Sequence, residues 1–371
     1  MSSIKKIIEI LDKKPWAENP YKKQNWGHNF HSIAPYIGRI KPAFAHWLIK
    51  TTTHLDDVVL DPFCGIGTVP LEADLLGRHA IGFDLNDYAV TITNAKFDRR
   101  TLENNLTWLD NIKLKPKKVK LSLISDYIKQ FYHPKTLQEI ISLRDAIIRD
   151  KRDFLLGCLL GIIHGHRPQY LSAWTGYIIP FSSRSKPEYR EVIPRMKMKT
   201  KRMYKTGISK SNHKMIKKRN SAKTRLKNNS VDVVISSPPY YDTIDYVTSN
   251  RLRLAFLDIH DDSATKLKKK LIQHNRTYLK EMEVVGMEMH RILKPNSLCV
   301  FVLGDVHKPK STINTASEIS KLYSRLGFKT CAIIDDEIPL ARRTANKWKG
   351  SEELGKTRRK LDRILIMKVQ K

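Results

Sequence analysis

Val58-Val59-Leu60-Asp61-Pro62-Phe63-Cys64-Gly65-Ile66-Gly67-Thr68 is a short β-branched run that ends on an acid, turns through two glycines and opens an amphipathic stretch. An apolar run of this length bounded by turn residues reads as a buried strand, and the stretch from Thr68 to Leu76 as the helix that follows it. Without Cβ atoms, Gly65 and Gly67 let the backbone approach a ligand closely at the helix start. The next strand, His79 to Asp84, ends on a second acid, which is placed to accept hydrogen bonds from both hydroxyls of a ribose. A nucleotide-like cofactor fits this pair. A dinucleotide fingerprint would need a third small residue where Pro70 stands, and a phosphate loop would need Gly-Lys-Ser/Thr, so neither a nicotinamide site nor a nucleoside triphosphatase is supported.

Outward from this turn, β-branched runs alternate with amphipathic stretches, the pattern of a mostly parallel α/β sheet. Further strands read at Val231 to Ser236, Leu298 to Gly304, Phe328 to Ile334 and Arg363 to Val369. Helices read at Tyr88 to Asp98, Thr277 to Ile292 and Thr315 to Leu326, with Gly77 and Gly327 as C-terminal caps. The third strand is expected within Leu106 to Asp110 or Val119 to Ile124, and Pro134 to Ile163 reads as helical. There is no repeat at solenoid periods.

The 371 residues can bury a sizeable core. Lys and Arg number 68 against 37 Asp and Glu, a formal +31 that points to a polyanionic partner. From Arg184 to Lys227 there are 17 Lys and Arg against Glu188 and Glu191, so half the excess charge lies in one segment. With Pro187, Pro194 and few large aliphatics, this segment is expected to be a loop, arm or partly ordered insertion without a core of its own. Tyr189, Tyr204 and His213 interleave with its charges, which favours a surface for a nucleic-acid backbone over a plain solvated linker. Apolar runs are short and the first sixteen residues are broken by charges, so neither a membrane span nor a signal peptide is read. Cys64, Cys158, Cys299 and Cys331 form no C-x-x-C pair, which argues against structural zinc and disulfides and for the reducing cytoplasm.

A second constellation follows the strand Val231 to Ser236: Ser237-Pro238-Pro239-Tyr240-Tyr241. In open α/β sheets the ligand lies beyond the carboxyl ends of the strands. Two prolines fix φ and remove two donors, leaving a rim of carbonyl acceptors suited to an exocyclic amino group. The Ser237 hydroxyl adds an acceptor, and Tyr240 is suited to stack on a flat heterocycle.

Asp61 to Thr68 and Ser237 to Tyr240 together resemble the cofactor and catalytic motifs of the S-adenosylmethionine-dependent DNA amino-methyltransferases, the serine form being typical of the cytosine-N4 branch. Upstream, Phe30-His31-Ser32-Ile33-Ala34-Pro35-Tyr36-Ile37-Gly38-Arg39 resembles the segment that in these enzymes closes over the methionine end of the cofactor. Downstream, Asn250 to Leu254 and the strand ending Leu303-Gly304-Asp305 continue the likeness, which covers about Asn29 to Val369 but matches little of the insertion. The motif order resembles the alpha group, whose target-recognition region fills the gap between the two motifs.

The resemblance implies a Rossmann-like class I methyltransferase fold, a seven-stranded mostly parallel sheet with a basic, partly helical insertion. It divides the chain into an N-terminal extension (1–28), a cofactor-binding half (29–125), a recognition insertion (126–229) and a catalytic half (230–371). It implies S-adenosyl-L-methionine as cofactor, held by Pro35, Tyr36, Asp61, Phe63, Gly65, Gly67, Thr68 and Asp84, with Asp110 facing the adenine. Ser237, Pro238, Pro239 and Tyr240 would act on a cytosine flipped out of duplex DNA, at a cost of a few kcal/mol in lost stacking. The backbone would be held by Arg167, Lys197, Lys199, Lys201, Arg202, Lys217, Lys218 and Arg219. Direct methyl transfer needs orientation and electrostatics but no covalent nucleophile. A cognate restriction endonuclease would share the site without forming a stable complex.

Adenine-N6 methylation, an RNA substrate and an inactive nucleic-acid-binding protein remain open alternatives. Cys64 lacks the Pro-Cys dipeptide of carbon-5 enzymes and reads as packing. His164 and His166 lack ligand partners at metal spacing, so with Arg167 they read as DNA contacts and no metal is expected. Tyr170 to Tyr177 carries aromatics that either contact bases or pack.

Overall fold

The computed structural model describes residues 4–16, 18–23, 26–165, 168–174, 181–207, 214–239, 245–259, 261–272, 277–308, 311–337 and 361–371. Seven strands form one sheet: β1 (Val58–Asp61), β2 (His79–Asp84), β3 (Lys214–Lys218), β4 (Val231–Ser236), β5 (Leu293–Gly304), β6 (Phe328–Glu337) and β7 (Leu361–Val369). Their spatial order is β3-β2-β1-β4-β5-β7-β6, with β7 antiparallel to both neighbours and the other pairs parallel. This is the Rossmann-like class I arrangement. Val306–Lys308 and Ser311–Ile313 add a separate short hairpin.

Fourteen α-helices are described: α1 (Ile4–Asp12), α2 (Pro42–Thr52), α3 (Thr68–Leu75), α4 (Asp87–Lys96), α5 (Leu102–Asn111), α6 (Asp126–Lys129), α7 (Pro134–Arg149), α8 (Asp153–Ile162), α9 (Val192–Met203), α10 (Tyr246–Ser249), α11 (Arg251–Ala255), α12 (Asp261–Lys270), α13 (Tyr278–Ile292) and α14 (Thr315–Ser324). None is long and apolar enough to cross a membrane among the described residues.

Alternation along the strands builds two cores. Val59, Val233, Val300 and Ile366 face α1 and α2, whereas Leu60, Val234, Phe301 and Leu365 face α13 and α14. A third cluster joins α4 to the helical segment α7–α9. Gly157 of α8 allows that contact, since a Cβ there would lie 2.5 Å from Ala95 Cβ.

Two sequence expectations are corrected. Leu106 to Asp110 lies in α5, which starts on Thr101, whose hydroxyl accepts from Asn104 N, and Val119 to Ile124 holds only a short 3-10 turn. The third strand is instead Lys214–Lys218, inside the basic segment, in parallel register with β2 from Ala80–Lys214 to Asp84–Lys218. As an edge strand it is half-solvated, and lysines at an edge discourage further pairing. Nor is the basic segment without a core: α9 buries Val192, Met196 and Met203 against the third cluster.

Candidate active site

Adjacent strands β1 and β4 bring the two motifs together. Parallel pairing of Val59 with Val233 and Leu60 with Val234 sets Asp61 beside Ser236, and the Ser236 hydroxyl donates to Asp61 Oδ1 at 2.6 Å. Phe63 N donates to the same oxygen at 3.1 Å. Oδ2 takes no partner among the described residues. Burial pushes the Asp61 carboxyl up to about 7, against the lowering effect of these two bonds.

The glycine turn is locked from both sides. Cys64 N donates to Phe83 O, and Gly65 N donates to Asp84 Oδ2 at 2.9 Å. Gly65 (φ 50°) and Gly67 (φ 70°) are left-handed, and a Cβ at Gly67 would lie 2.4 Å from Thr93 Cγ2, so only glycine lets the turn pack on α4. Asp84 also accepts from Asn86 N at 2.8 Å, and burial raises it to about 6. Burial likewise raises the Cys64 thiol well above its ordinary value, so it is inert, in keeping with packing.

These groups line one pocket of about 780 Å³, open mouth included. Tyr36 forms one wall, stacked on Tyr246 with ring centroids 5.7 Å apart and lying against Gly65. The segment carrying Tyr36 is strapped down by Tyr88 Oη, which donates to Pro35 O at 2.8 Å, and by the buried Lys199, whose ammonium donates to Ser32 O at 2.8 Å. Beneath it, Glu72 bonds His31 at 2.6 Å and His46 at 2.8 Å. Burial would raise Glu72, but the two histidines outweigh it and hold the acid at about 2.

Of the predicted cofactor residues, Tyr36, Asp61, Phe63, Gly65, Thr68 and Asp84 line this pocket. Gly67 caps α3 behind it, and Pro35 is exposed outside it, contributing its carbonyl to the strap. Asp110 is not there: it sits exposed on α5, paired with Lys197. The far end is lined instead by Arg219 and Ser221, just after β3. Ser237 and Pro239 line the mouth and Pro238 is buried behind them. Tyr240, Arg167, His166, His213 and the Thr175 to Tyr177 part of the aromatic stretch lie outside the described residues.

The predicted DNA-binding residues divide. Lys201, Arg202 and Lys217 are exposed, Lys197 and Lys218 pair with Asp110 and Asp87, Lys199 is buried, and Arg219 bonds Thr224 O over the Phe83 ring. Lys199 is therefore a structural anchor of the strap rather than a surface cation. His164 is buried, with Nδ1 3.3 Å from the Ser172 hydroxyl. No group of three or more potential ligands gathers as a metal site among the described residues.

Sequence reasoning missed Ser236, Asn86, Arg219, Ser221 and Tyr246. Asn86 Nδ2 and Thr68 Oγ1 are buried at the pocket without a hydrogen-bond partner. Buried polar atoms are ordinarily satisfied, so orphans here mark where ligand atoms bind. With two desolvated carboxylates aligned to accept and a flat aromatic wall, the residues fit a nucleoside carrying a cationic tail.

Residues 6–95 match the family model described as DNA methylase. Among curated proteins, the chain is 25% identical over 103 residues to the type II methyltransferase M.MjaII of Methanocaldococcus jannaschii (24% of this chain, 19% of that one). It is 26% identical over 149 residues to the tRNA (guanine(10)-N2)-dimethyltransferase of the same organism (40% and 36%). The matched stretches thus span about a fifth and a third of these relatives. A SAM-dependent methyltransferase structure from Methanosarcina mazei aligns over 87% of this chain and 97% of its own, with 11% identity and a TM-score of 0.35. Over the stretch that carries the strap, the glycine turn and Asp84, the chain is matched by the DNA methylase family.

Proposed function

We propose that this protein is a DNA methyltransferase that uses S-adenosyl-L-methionine to methylate the exocyclic N4 amino group of a cytosine flipped out of the duplex. The observation that carries the reading is the 2.6 Å bond from Ser236 to Asp61, which fastens the cofactor side of the pocket to the strand end bearing Ser237-Pro238-Pro239. S-adenosylmethionine supplies an electrophilic methyl on a sulfonium. Asp84 accepts from the ribose hydroxyls, Asp61 holds the cofactor's amino group, and Tyr36 with Tyr246 excludes water from that wall. The Ser237 hydroxyl and the Pro238 carbonyl accept from the two N4 hydrogens, which favours a pyramidal nitrogen with its lone pair free to attack. Tyr240 stacks on the base. Catalysis then rests on orientation and fixed dipoles.

The family described as DNA methylase is consistent with either amine, N4 of cytosine or N6 of adenine, and the serine at 237 favours cytosine by the resemblance stated above. The M. jannaschii tRNA relative supports a second reading, methylation of an amino group in RNA. Incubating the protein and cofactor with unmethylated genomic DNA or with tRNA, then identifying modified nucleosides by mass spectrometry, decides among them. N4-methyldeoxycytidine is expected. N6-methyldeoxyadenosine would correct the base, and a methylated guanosine would correct the polymer. Pairing with a restriction endonuclease of the same specificity, in the cytoplasm, belongs to this proposal.

Cofactor affinity should rise with pH. Asp84 titrates at about 6 and Asp61 at about 7 in the folded protein, and a ligand that donates to both favours their charged forms. S-adenosylmethionine binding is therefore expected to strengthen from pH 5.5 to 7.5 and to release protons, as calorimetry in buffers of different ionisation heat would record. Affinity that is flat or falls over this range contradicts the roles given to the two acids.

The exposed cations should carry the polyelectrolyte term. Neutralising Lys201, Arg202 and Lys217 together is expected to lower the slope of log K against log salt by about 0.9 per phosphate contact, up to roughly 3. An unchanged slope would make this surface a bystander. Lys199→Gln should weaken the strap and leave the slope alone.

A further inference from the structure

Arg39 lines the pocket from the strap side, half-buried, and makes one hydrogen bond, from Nη1 to His31 O. A guanidinium offers five donors. No carboxylate among the described residues pairs with it. The nearest acid on that side, Glu72, is fully engaged with His31 and His46. The fully buried Lys96, whose ammonium reaches toward Gly67 O at 3.4 Å behind the glycine turn, adds a second positive charge to the same wall. Burial lowers the pKa of both cations, and each lowers the other. Desolvating a cation without a counter-ion is unfavourable, so a largely buried guanidinium facing a pocket is a site awaiting an anion. The opposite side carries Asp61 and Asp84, so the pocket has a positive wall and a negative wall.

We propose that Arg39 is a ligand-binding residue that takes the α-carboxylate of the cofactor's amino-acid tail, making the pocket selective for the zwitterionic amino-acid form of the nucleoside. The assignment rests on the cofactor reading above. With the ammonium at Asp61 and the ribose at Asp84, the carboxylate falls to the one wall that is cationic. A planar fork matches a carboxylate better than a point charge does, so lysine is an incomplete substitute.

The test is a calorimetric comparison of S-adenosylmethionine with decarboxylated S-adenosylmethionine, which keeps the nucleoside, the sulfonium and the amine. The wild-type protein is expected to prefer the carboxylated form by about 10- to 100-fold, the range of a charge-assisted hydrogen-bond pair. Arg39→Met should weaken S-adenosylmethionine by a similar factor and leave the decarboxylated ligand within about threefold, and Arg39→Lys should restore part of the loss. Equal wild-type affinity for the two ligands overturns the proposal without any variant. So does an equal loss of both in Arg39→Met, which would make the residue purely structural. Unchanged binding of both with reduced DNA affinity would also overturn it, assigning the guanidinium to a backbone phosphate. Wild-type protein that binds neither ligand would instead overturn the cofactor reading itself, and this assignment with it.

Discussion

Asp84→Ala is expected to weaken S-adenosylmethionine binding by at least 100-fold while the far-ultraviolet circular dichroism stays that of the wild type. Two hydrogen bonds from ribose hydroxyls to a charged acceptor are each worth about 1.5–3 kcal/mol, and the substitution also frees Gly65 N, which Asp84 holds at 2.9 Å. The turn then loses the bond that fixes its approach to the ligand. The same substitution alters the pH dependence of folding. Because burial raises Asp84 from 3.8 to about 6, the fold favours its protonated form. That contribution is complete below pH 3.8 and is lost as pH rises to about 6. Urea titrations across this window should show a shallower decline in the alanine variant. A variant that binds cofactor within threefold of wild type refutes the assigned role.

Glu72→Ala should be the most damaging single change outside the pocket. The acid is 2% exposed and is the shared partner of His31 and His46. Its loss leaves two imidazoles facing an empty site, one of which already has an unpartnered Nδ1. Removing one member of a buried charged network costs about 3–5 kcal/mol. Chemical denaturation measures this directly, and a loss below about 1 kcal/mol would show that the network is not what holds the strap. Burial depresses His31 to about 4 and the histidine bonds hold Glu72 at about 2. The wild-type contributions therefore fade on acidification, from pH 6.5 to 4 for the histidine and from 4.5 to 2 for the acid. Glu72→Gln, which keeps the shape and one acceptor, should lose less.

The residues that were legible in sequence are those whose local chemistry is strong. The apolar runs at β1, β2 and β4, the paired glycines and the two prolines each restrict the backbone on their own, and the structure places them around one pocket. β3 was hidden because an edge strand buries little: of Lys214–Lys218 only Met215 and Ile216 are apolar, and pairing with β2 supplies what the pattern lacks. Asp110 was misplaced as a consequence, since the far end of the pocket follows the third strand. Thr101 as an N-cap, with Leu102, Leu106 and Leu109 behind it, was the available sign that Asp110 belongs to a helix. Arg219 and Ser221 could not be separated from the surrounding basic residues, because charge alone does not distinguish a cation over an aromatic ring from one in solvent. Lys199 shows the converse, a lysine in a basic run that is buried by its helix.

The placement of β3 also sets an order of events during synthesis. β2 and β3 are hydrogen-bonded neighbours across some 130 residues of chain, all of α4 to α9 lying between them. Such a distant pairing closes late, since loop closure precedes any reward from the contact. A nascent chain that has emerged only as far as α8 therefore has the glycine turn and both acids but no far wall to its pocket. The ribosome must deliver the whole basic surface before the nucleoside site can close, so acquisition of the cofactor and acquisition of the nucleic-acid surface become a single maturation step.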